Sequence, residues 1–414
     1  MSNLKGSKVM KSKKFTRVSI FILSFLLCFS AVSCGKKDDG DTTGGDQIHK
    51  TDVIGFNRAE YGNFIYYAGN RIYRYNRKTN TISPACTDPE CDGMCPVDCA
   101  ITFLTGVYDG RLYFYGFQQS TYNIFFAYQD IVTGEIKVLK QLSRIEDSNY
   151  SATFVDGDYF YYFAMILKEG GDAAVSGDYE RCLCRIPKDG GNDEVVMKIE
   201  NSERLLMIAD GMMIFEDNNK IYTVVIAAGE KKEIFDYAAN GFVALATRPS
   251  YLNGKMYLTA CGAETAKSEY VDGVTYQIPY LFSIDVKTGE AKKIVNEPVM
   301  SFTLTDDAIY YLPFKIRYLY VPDDYRNHPE KVITRLSDES MYTCGLDGKD
   351  IRKLYTDSNL GYPVEYTVIE GKLYGTMSYY DGENHKFSDG FYGEIEFESG
   401  KVTQTVIPKR EGWN

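Results

Sequence analysis

Histidine and tryptophan are scarce in this chain, which has three His and one Trp among 414 residues. His49 precedes the repetitive part of the sequence, so that part contains only His328 and His385. A catalytic zinc site that uses three histidine ligands is therefore excluded. No Gly-x-Ser-x-Gly, Walker-type or His-Glu-x-x-His pattern occurs either, which removes the sequence signatures of several hydrolase and nucleotide-binding classes.

Apolar runs of membrane-spanning length are also missing. The mainly apolar segment 18–32 has 15 residues, fewer than the roughly 20 that a membrane-spanning helix needs. Six Lys or Arg and no acid precede it, which is typical of a signal peptide. The segment leads into Ala31-Val32-Ser33-Cys34, which resembles the lipobox of bacterial lipoproteins. The resemblance implies cleavage before Cys34, a lipid on its sulfur and anchoring to the cell membrane outside the cytoplasm; an ordinary signal peptide cut nearby is the alternative.

The predicted organisation is a signal peptide at 1–33, the lipidated Cys34 with a flexible tether through residue 50, and one domain at 51–414. Residues 35–46 have no apolar side chain to bury, so they cannot offset their chain entropy. Cleavage removes six basic residues and no acidic one, and leaves 40 Lys or Arg against 57 Asp or Glu. Such an acidic chain is unsuited to binding nucleic acid or anionic lipid through charge.

A short phrase recurs seven times in the domain. Each copy has an apolar or Thr-rich strand, a tight turn, a Tyr-rich strand, a third strand, a second turn and a last strand. The first turn contains a glycine in six copies and Asp306-Asp307 in the other; the glycines are Gly62, Gly110, Gly157, Gly211, Gly254 and Gly371. Four strands form a sheet with two apolar faces, which neighbouring copies would cover in a ring. The sequence therefore predicts an all-β fold with few helices, a seven-bladed β-propeller of four-stranded antiparallel blades.

The repeated phrases carry a family resemblance. Ile65-Tyr66-Tyr67 and Leu112-Tyr113-Phe114 follow turn glycines, and Asp-x-x-Thr-Gly-Glu occurs at 130–135 and 285–290. In these phrases the chain resembles exported bacterial β-propeller lipoproteins that carry a domain of unknown function, akin to low-density-lipoprotein-receptor-like and TolB-like propellers. The resemblance covers about residues 51–407 and implies a propeller at the membrane. The Asp-x-x-Thr-Gly-Glu turns also resemble those of quinoprotein propellers, but the Trp that follows them there is missing, so no quinone cofactor is expected.

The connections between the second and third strands of a blade include the longest ones in the domain. Because strand direction alternates, these connections and those between blades lie on one face of the ring. Four of them are long, at 167–180, 261–276, 314–340 and 379–390. Long loops on a rigid scaffold commonly bind ligands, and aromatic rings beside acids suit a glycan, peptide or protein. The candidate ligand-face residues are Tyr270, Asp272, Tyr276, Tyr318, Tyr320, Asp323, Asp324, Tyr325, Arg326, His328, Tyr379, Tyr380, Asp381 and His385.

Two functional hypotheses are compatible with these features. In the first, the chain is a non-catalytic binding or scaffolding module at the cell surface. In the alternative, it is a propeller hydrolase or lyase for cell-envelope glycan or peptide, with acid pairs such as Asp306-Asp307 and Asp323-Asp324 as its carboxylates. The predicted inner strands contain mainly Thr, Ser and apolar residues rather than acids, which favours the binding module.

Four cysteines stand within fourteen residues, at Cys86, Cys91, Cys95 and Cys99. Export from the cytoplasm favours two disulfides, which would brace a loop too short for a core of its own. Zn²⁺ held by the four thiolates is one alternative, and free thiols are another. A second pair of cysteines, at 182 and 184, is expected to share one face of a strand and to pack in the core.

Overall fold

The strands of the domain form seven antiparallel sheets, each made from consecutive strands of the chain. The computed structural model describes residues 58–68, 72–86, 101–118, 123–142, 153–172, 176–200, 202–247, 249–356, 360–361 and 366–405. Within these ranges the only helical elements are the single 3₁₀ turns Ser176–Asp178, Ala238–Asn240 and Pro329–Lys331. No helix in the described ranges is long and apolar enough to cross a membrane. The predicted signal peptide, Cys34 and the tether lie outside the described residues.

Blades 1 to 4 each contain four strands. Blade 1 has β1 Arg58–Tyr61, β2 Phe64–Ala68, β3 Ile72–Asn76 and β4 Thr81–Pro84. Blade 2 has β5 Ile101–Tyr108, β6 Arg111–Gln118, β7 Asn123–Asp130 and β8 Ile136–Leu142. Blade 3 has β9 Phe154–Asp156, β10 Tyr159–Leu167, β11 Tyr179–Pro187 and β12 Glu194–Lys198. Blade 4 has β13 Arg204–Ala209, β14 Met212–Asp217, β15 Lys220–Val225 and β16 Lys231–Asp236.

Blades 5 to 7 have additional strands. Blade 5 has β17 Phe242–Leu245, β18 Ser250–Leu252, β19 Lys255–Lys267, β20 Thr275–Asp285 and β21 Ala291–Lys293. Blade 6 has β22 Val299–Leu304, β23 Ala308–Tyr320, β24 Ile333–Ser337, β25 Ser340–Gly345 and β26 Arg352–Thr356. Blade 7 has β27 Leu360–Gly361, β28 Tyr366–Ile369, β29 Lys372–Asp381, β30 Lys386–Phe387, β31 Phe391–Glu396 and β32 Val402–Gln404.

The turns between the first two strands of a blade are built as the sequence predicts. Asn253 and Gly254 both have positive φ, 51° and 78°, as do Asp109 and Gly110, at 51° and 70°. Positive φ at two successive turn residues is the type I′ geometry that suits the twist of a hairpin. Blade 6 differs, because the Thr305 hydroxyl there accepts a hydrogen bond from the Ala308 N–H at 3.2 Å and closes the turn.

The core is divided among the contacts between blades. The described residues form seven clusters of buried side chains, one for each pair of neighbouring blades around the ring. Between blades 2 and 3, for example, the Phe126 ring lies 4.5 Å from that of Tyr162 and 5.5 Å from that of Phe160. Each sheet therefore covers the apolar face of the next one, and the fold is a seven-bladed β-propeller.

Side-chain packing closes the ring between blades 7 and 1. The Tyr67 and Tyr392 rings stack there with 4.5 Å between centroids. The Thr367 hydroxyl donates to Glu60 Oε1 at 2.7 Å, across the same interface. In the described residues, no strand from the beginning of the chain joins the sheet of blade 7.

Candidate functional site: a crest on blades 5 to 7

Three neighbouring blades extend beyond the ring on the face of the strand 2–3 connections. In blade 5, β19 and β20 continue past the sheet and pair again at 265–267 with 275–277. In blade 6, β23 runs on to Tyr320 and pairs with β24, and in blade 7, β29 pairs with β30. We call residues 262–278, 314–339 and 378–390 the crest.

The sequence predicted long connections at these places, and the structure has them there as paired hairpins rather than open loops. Pairing across a hairpin satisfies the backbone N–H and C=O groups of a long excursion, which an open loop would leave to solvent. Gly273, with φ of 77°, lies in the turn that ends the blade 5 hairpin. The fourth predicted connection, 167–180, is a connection in the structure too, but it belongs to blade 3 and is not part of the crest.

Tyr270 and Tyr318 join the hairpins of blades 5 and 6. The Tyr270 ring lies edge-on to the Tyr318 ring, with 4.5 Å between centroids, and edge-on to Tyr325 at 5.6 Å. The Tyr318 hydroxyl oxygen accepts a hydrogen bond from the backbone N–H of Glu269 at 2.9 Å. It also donates to Ser268 Oγ at 3.4 Å. Three rings and these hydrogen bonds fix the two hairpins against each other.

His385 and Tyr380 join the hairpins of blades 6 and 7. The His385 imidazole stacks on the Tyr320 ring, with 3.7 Å between centroids. The Tyr380 hydroxyl donates to the Leu319 carbonyl oxygen at 3.3 Å and lies 3.5 Å from His385 Nδ1. These contacts join the two hairpins.

His328 lies between two carboxylates at the end of the blade 6 hairpin. Its Nε2 is 3.4 Å from Asp324 Oδ2, and its Nδ1 is 3.1 Å from Glu330 Oε1. The backbone N–H of Glu330 and the His328 side chain hold the pKa of the Glu330 carboxyl below its ordinary value. Side-chain contacts this exposed add little stability.

The other predicted ligand-face residues at the tips are exposed. Asp272 and Asp323 lie at the ends of the blade 5 and blade 6 hairpins. The guanidinium carbon of Arg326 lies 5.9 Å from the centroid of the neighbouring Tyr325 ring. These side chains lie on the same crest as the joined tyrosines and are accessible to a ligand.

Three further predicted residues contact neighbouring residues of their own blade. Tyr276 is half-buried on β20, opposite Ala266. Tyr379 stacks on Phe391 with 5.5 Å between centroids. Asp381 Oδ1 accepts hydrogen bonds from two backbone N–H groups of its turn, those of residues 383 and 384. These residues support the crest and are weaker candidates for ligand contact.

Sequence reasoning missed two residues that shape the crest. Ser268 Oγ accepts from the backbone N–H groups of Tyr270 and Val271, at 3.3 Å and 2.9 Å, and so orients the first joined ring. The sequence signal for this role is a Ser shortly before the turn residues Asp272-Gly273, because Ser hydroxyls often accept hydrogen bonds from the backbone of a turn. No sequence signal identified Glu330, because Glu330 meets His328 only once the tip of the hairpin has folded.

Carboxylates on the described inner strands take part in contacts between blades. Glu60 accepts from Thr367 across the blade 1–7 interface, and Asp156 Oδ2 accepts from the backbone N–H of Gly211 at 2.8 Å. The Thr105 and Thr153 hydroxyls meet at 2.6 Å between blades 2 and 3. These polar side chains hold neighbouring blades together.

The cysteines fall into two groups. Cys86 is half-buried just after β4 and packs against the blade 1–2 cluster, while Cys91, Cys95 and Cys99 lie outside the described residues. The choice between disulfides and zinc there stays a prediction. Cys184 is buried in the blade 2–3 cluster with Cys182, as predicted, and burial raises the pKa of its thiol to about 12. Within the described ranges, no group of three or more His, Cys, Asp or Glu could hold a metal ion.

Comparison with known proteins shows the fold alone. No protein-family model matches the sequence, and no curated protein matches it. A structure of prolyl endopeptidases is similar with a TM-score of 0.51 and 11% identity, over 86% of this chain and 51% of that chain. Two further structures are similar. Oligogalacturonate lyase from Vibrio parahaemolyticus has a TM-score of 0.46 and 12% identity, over 80% of this chain and 91% of that chain. TolB from Acinetobacter baumannii has a TM-score of 0.31 and 12% identity, over 73% of this chain and 67% of that chain. The chain thus spans about half the length of the endopeptidase chain, and these similarities include both enzymes and TolB.

Proposed function

We propose that this chain is a non-catalytic binding or scaffolding module for a glycan, peptide or protein, and that the crest is its ligand-binding surface. The observation that supports this proposal is the joining of three adjacent hairpins by aromatic contacts, at Tyr270 with Tyr318 and at Tyr320 with His385. Such a surface is ordered before the ligand arrives, so less free energy is spent on ordering it.

The proposal places the module outside the cytoplasm, held to the bacterial membrane by a lipid on Cys34. It is supported by the basic start of the chain, the apolar segment 18–32 and the small residues before Cys34. Two acyl chains give durable membrane attachment. In cells fed a labelled fatty acid, the wild-type chain should take up label and stay with the membrane, and Cys34→Ala should do neither. Equal labelling of both would refute lipidation at this residue.

The ligand-binding role is tested by shortening one crest hairpin. Tyr320 and Ile333 are already paired, so replacing residues 321–332 by Asn-Gly should leave a closed hairpin. The matched control replaces residues 168–178 of blade 3 by Asn-Gly, because Leu167 pairs with Tyr179 there. Both proteins should fold, as checked by thermal unfolding.

Binding is measured on an array of glycans, cell-wall fragments and peptides. Shortening the crest hairpin should weaken binding at least tenfold, while the blade 3 control should bind as the wild type does. Equal binding by all three proteins would refute the crest as the binding surface. Chemical conversion of an array component would instead favour the alternative, a hydrolase or lyase.

A further inference from the structure

We infer that the crest binds a cationic polypeptide segment, one that presents Lys or Arg side chains; this inference rests on the proposed function and narrows its ligand class. The tips of the three hairpins, 268–274, 321–332 and 381–386, hold seven carboxylates against three Lys or Arg. Glu269, Asp272, Asp323 and Glu330 are exposed there. The tips therefore present a negative surface of complementary charge to such a segment.

The carboxylates alternate with tyrosine rings. Tyr270 lies between Glu269 and Asp272 in one tip, and Tyr325 follows Asp324 in the next. The face of a tyrosine ring attracts an ammonium or guanidinium group, and a nearby carboxylate adds to that attraction. Aromatic rings alone would suit many ligands, but rings interspersed with excess carboxylates favour a cation.

The chain itself contains an example of this recognition at the base of the crest. Lys293 Nζ lies 3.4 Å from the centroid of the Tyr280 ring. The Tyr280 hydroxyl in turn donates to Glu264 Oε2 at 3.2 Å, and Glu264 belongs to the crest. In blade 5, a cation on β21 thus contacts a ring on β20 whose hydroxyl is bonded to a carboxylate on β19. At the blade 5 tip, the Glu269 and Asp272 side chains are exposed and the Tyr270 ring between them is half-buried.

Two of the tip carboxyls, Glu330 and Asp381, have a pKa below the ordinary value. The Glu330 pKa is held down first by its own backbone N–H, and the Asp381 pKa first by the Asn384 side chain. A nucleic acid or an anionic lipid surface would meet like charge here. A neutral glycan would make no use of the charge excess. Crest-dependent binding of a glycan remains as an outcome of the experiment.

The experiment uses the full chain in detergent and two fluorescent probes, a ten-residue Lys-Gly repeat and the matching Glu-Gly repeat. The crest variant combines Asp272→Asn, Asp323→Asn and Glu330→Gln. The control variant combines Glu135→Gln, Glu290→Gln and Glu398→Gln, which are exposed in turns between the third and fourth strands, on the opposite face. Both variants lose three negative charges, so the general attraction of the acidic chain for cations falls equally.

Fluorescence anisotropy at low salt should show binding of the Lys-Gly probe by the wild type, about tenfold weaker binding by the crest variant, and a change of less than about twofold in the control. Equal weakening by both variants would overturn the inference, as would failure of the wild type to bind the probe. If the probe fails but a glycan binds in a crest-dependent manner on the array, the cationic ligand is wrong and the proposed function stands. If neither binds, both are wrong.

Discussion

At the scale of single residues, several tyrosines donate hydrogen bonds to carboxylates. The chain has 35 Tyr against 23 Phe, although the rings lie mostly in blade interfaces. A tyrosine can pack its ring and still use its hydroxyl at the edge of the sheet. Four such bonds are Tyr162 to Asp193 at 2.5 Å, Tyr237 to Glu216 at 2.6 Å, Tyr251 to Asp210 at 2.7 Å and Tyr311 to Glu297 at 2.6 Å.

Replacing Tyr311 by Phe tests the worth of this bond. Burial and the Glu297 carboxylate raise the pKa of Tyr311 above its ordinary 10.0, so the hydroxyl is protonated and donates at pH 7. We expect the free energy of unfolding in urea to fall by about 2 kcal/mol, because Glu297 loses its donor.

The control for this substitution is Tyr222→Phe. The Tyr222 ring stacks on Phe215 with 5.5 Å between centroids, and its hydroxyl has no hydrogen-bond partner among the described residues. Its loss should be below about 0.5 kcal/mol. A Tyr311 variant as stable as the Tyr222 variant would show that the hydroxyl bond contributes nothing.

At the scale of the elements, the turn glycines are of two kinds, which differ in whether a Cβ atom would have room. Gly254, with φ of 78°, has no atom within 4 Å of the place where a Cβ would lie. Gly289, with φ of 77°, would bring a Cβ within 2.0 Å of the carbonyl oxygen of Ile234 in blade 4. Gly348 meets Ile294 of the preceding blade in the same way. The second kind of glycine lets the turn of one blade touch the outer part of the blade before it.

Alanine at these glycines separates backbone strain from the contact between blades. Gly254→Ala should cost about 1–2 kcal/mol in the free energy of unfolding, because only the positive φ is penalised. Gly289→Ala should cost several kcal/mol more, because a backbone atom of blade 4 must also move. Chemical unfolding of both proteins measures the difference. Equal losses would mean that the blades separate freely at this turn.

Some of these elements could be predicted from the sequence and others could not. The type I′ turn at Asn253-Gly254 was predictable because local residue chemistry determines it. The extra pairing of β23 with β24 was not, because the predicted connection 314–340 is compatible with either a loop or a hairpin. Tyr320 and His385 could be predicted as ligand-face residues from the composition of their connections. Their stacking could not be predicted, because it depends on how two different blades position the two hairpins.

At the scale of the whole molecule, the smallest buried cluster among the described residues lies where the ring closes. Among the described residues, the cluster between blades 7 and 1 has five buried members, Ile65, Tyr75, Ile82, Tyr374 and Tyr392. The cluster between blades 3 and 4 has ten. Polar side chains add contacts at the closure, including Asn80 Nδ2 donating to the Gln404 carbonyl oxygen at 2.9 Å. Since buried apolar area sets most of the stability of such an interface, this closure should be the first interface to open.

Removing one half-buried ring from each interface tests this expectation. Tyr67 packs against the blade 7–1 cluster and Tyr222 against the blade 3–4 cluster, so Tyr67→Ala and Tyr222→Ala are matched truncations. We expect Tyr67→Ala to speed amide hydrogen exchange in β2 and β29 by tenfold or more. Tyr222→Ala should raise exchange less, because the larger cluster retains most of its contacts. If amide hydrogens of the wild type exchanged faster in blades 3 and 4 than in blades 1 and 7, the interface between blades 7 and 1 would not be the first to open. That result would contradict the expectation.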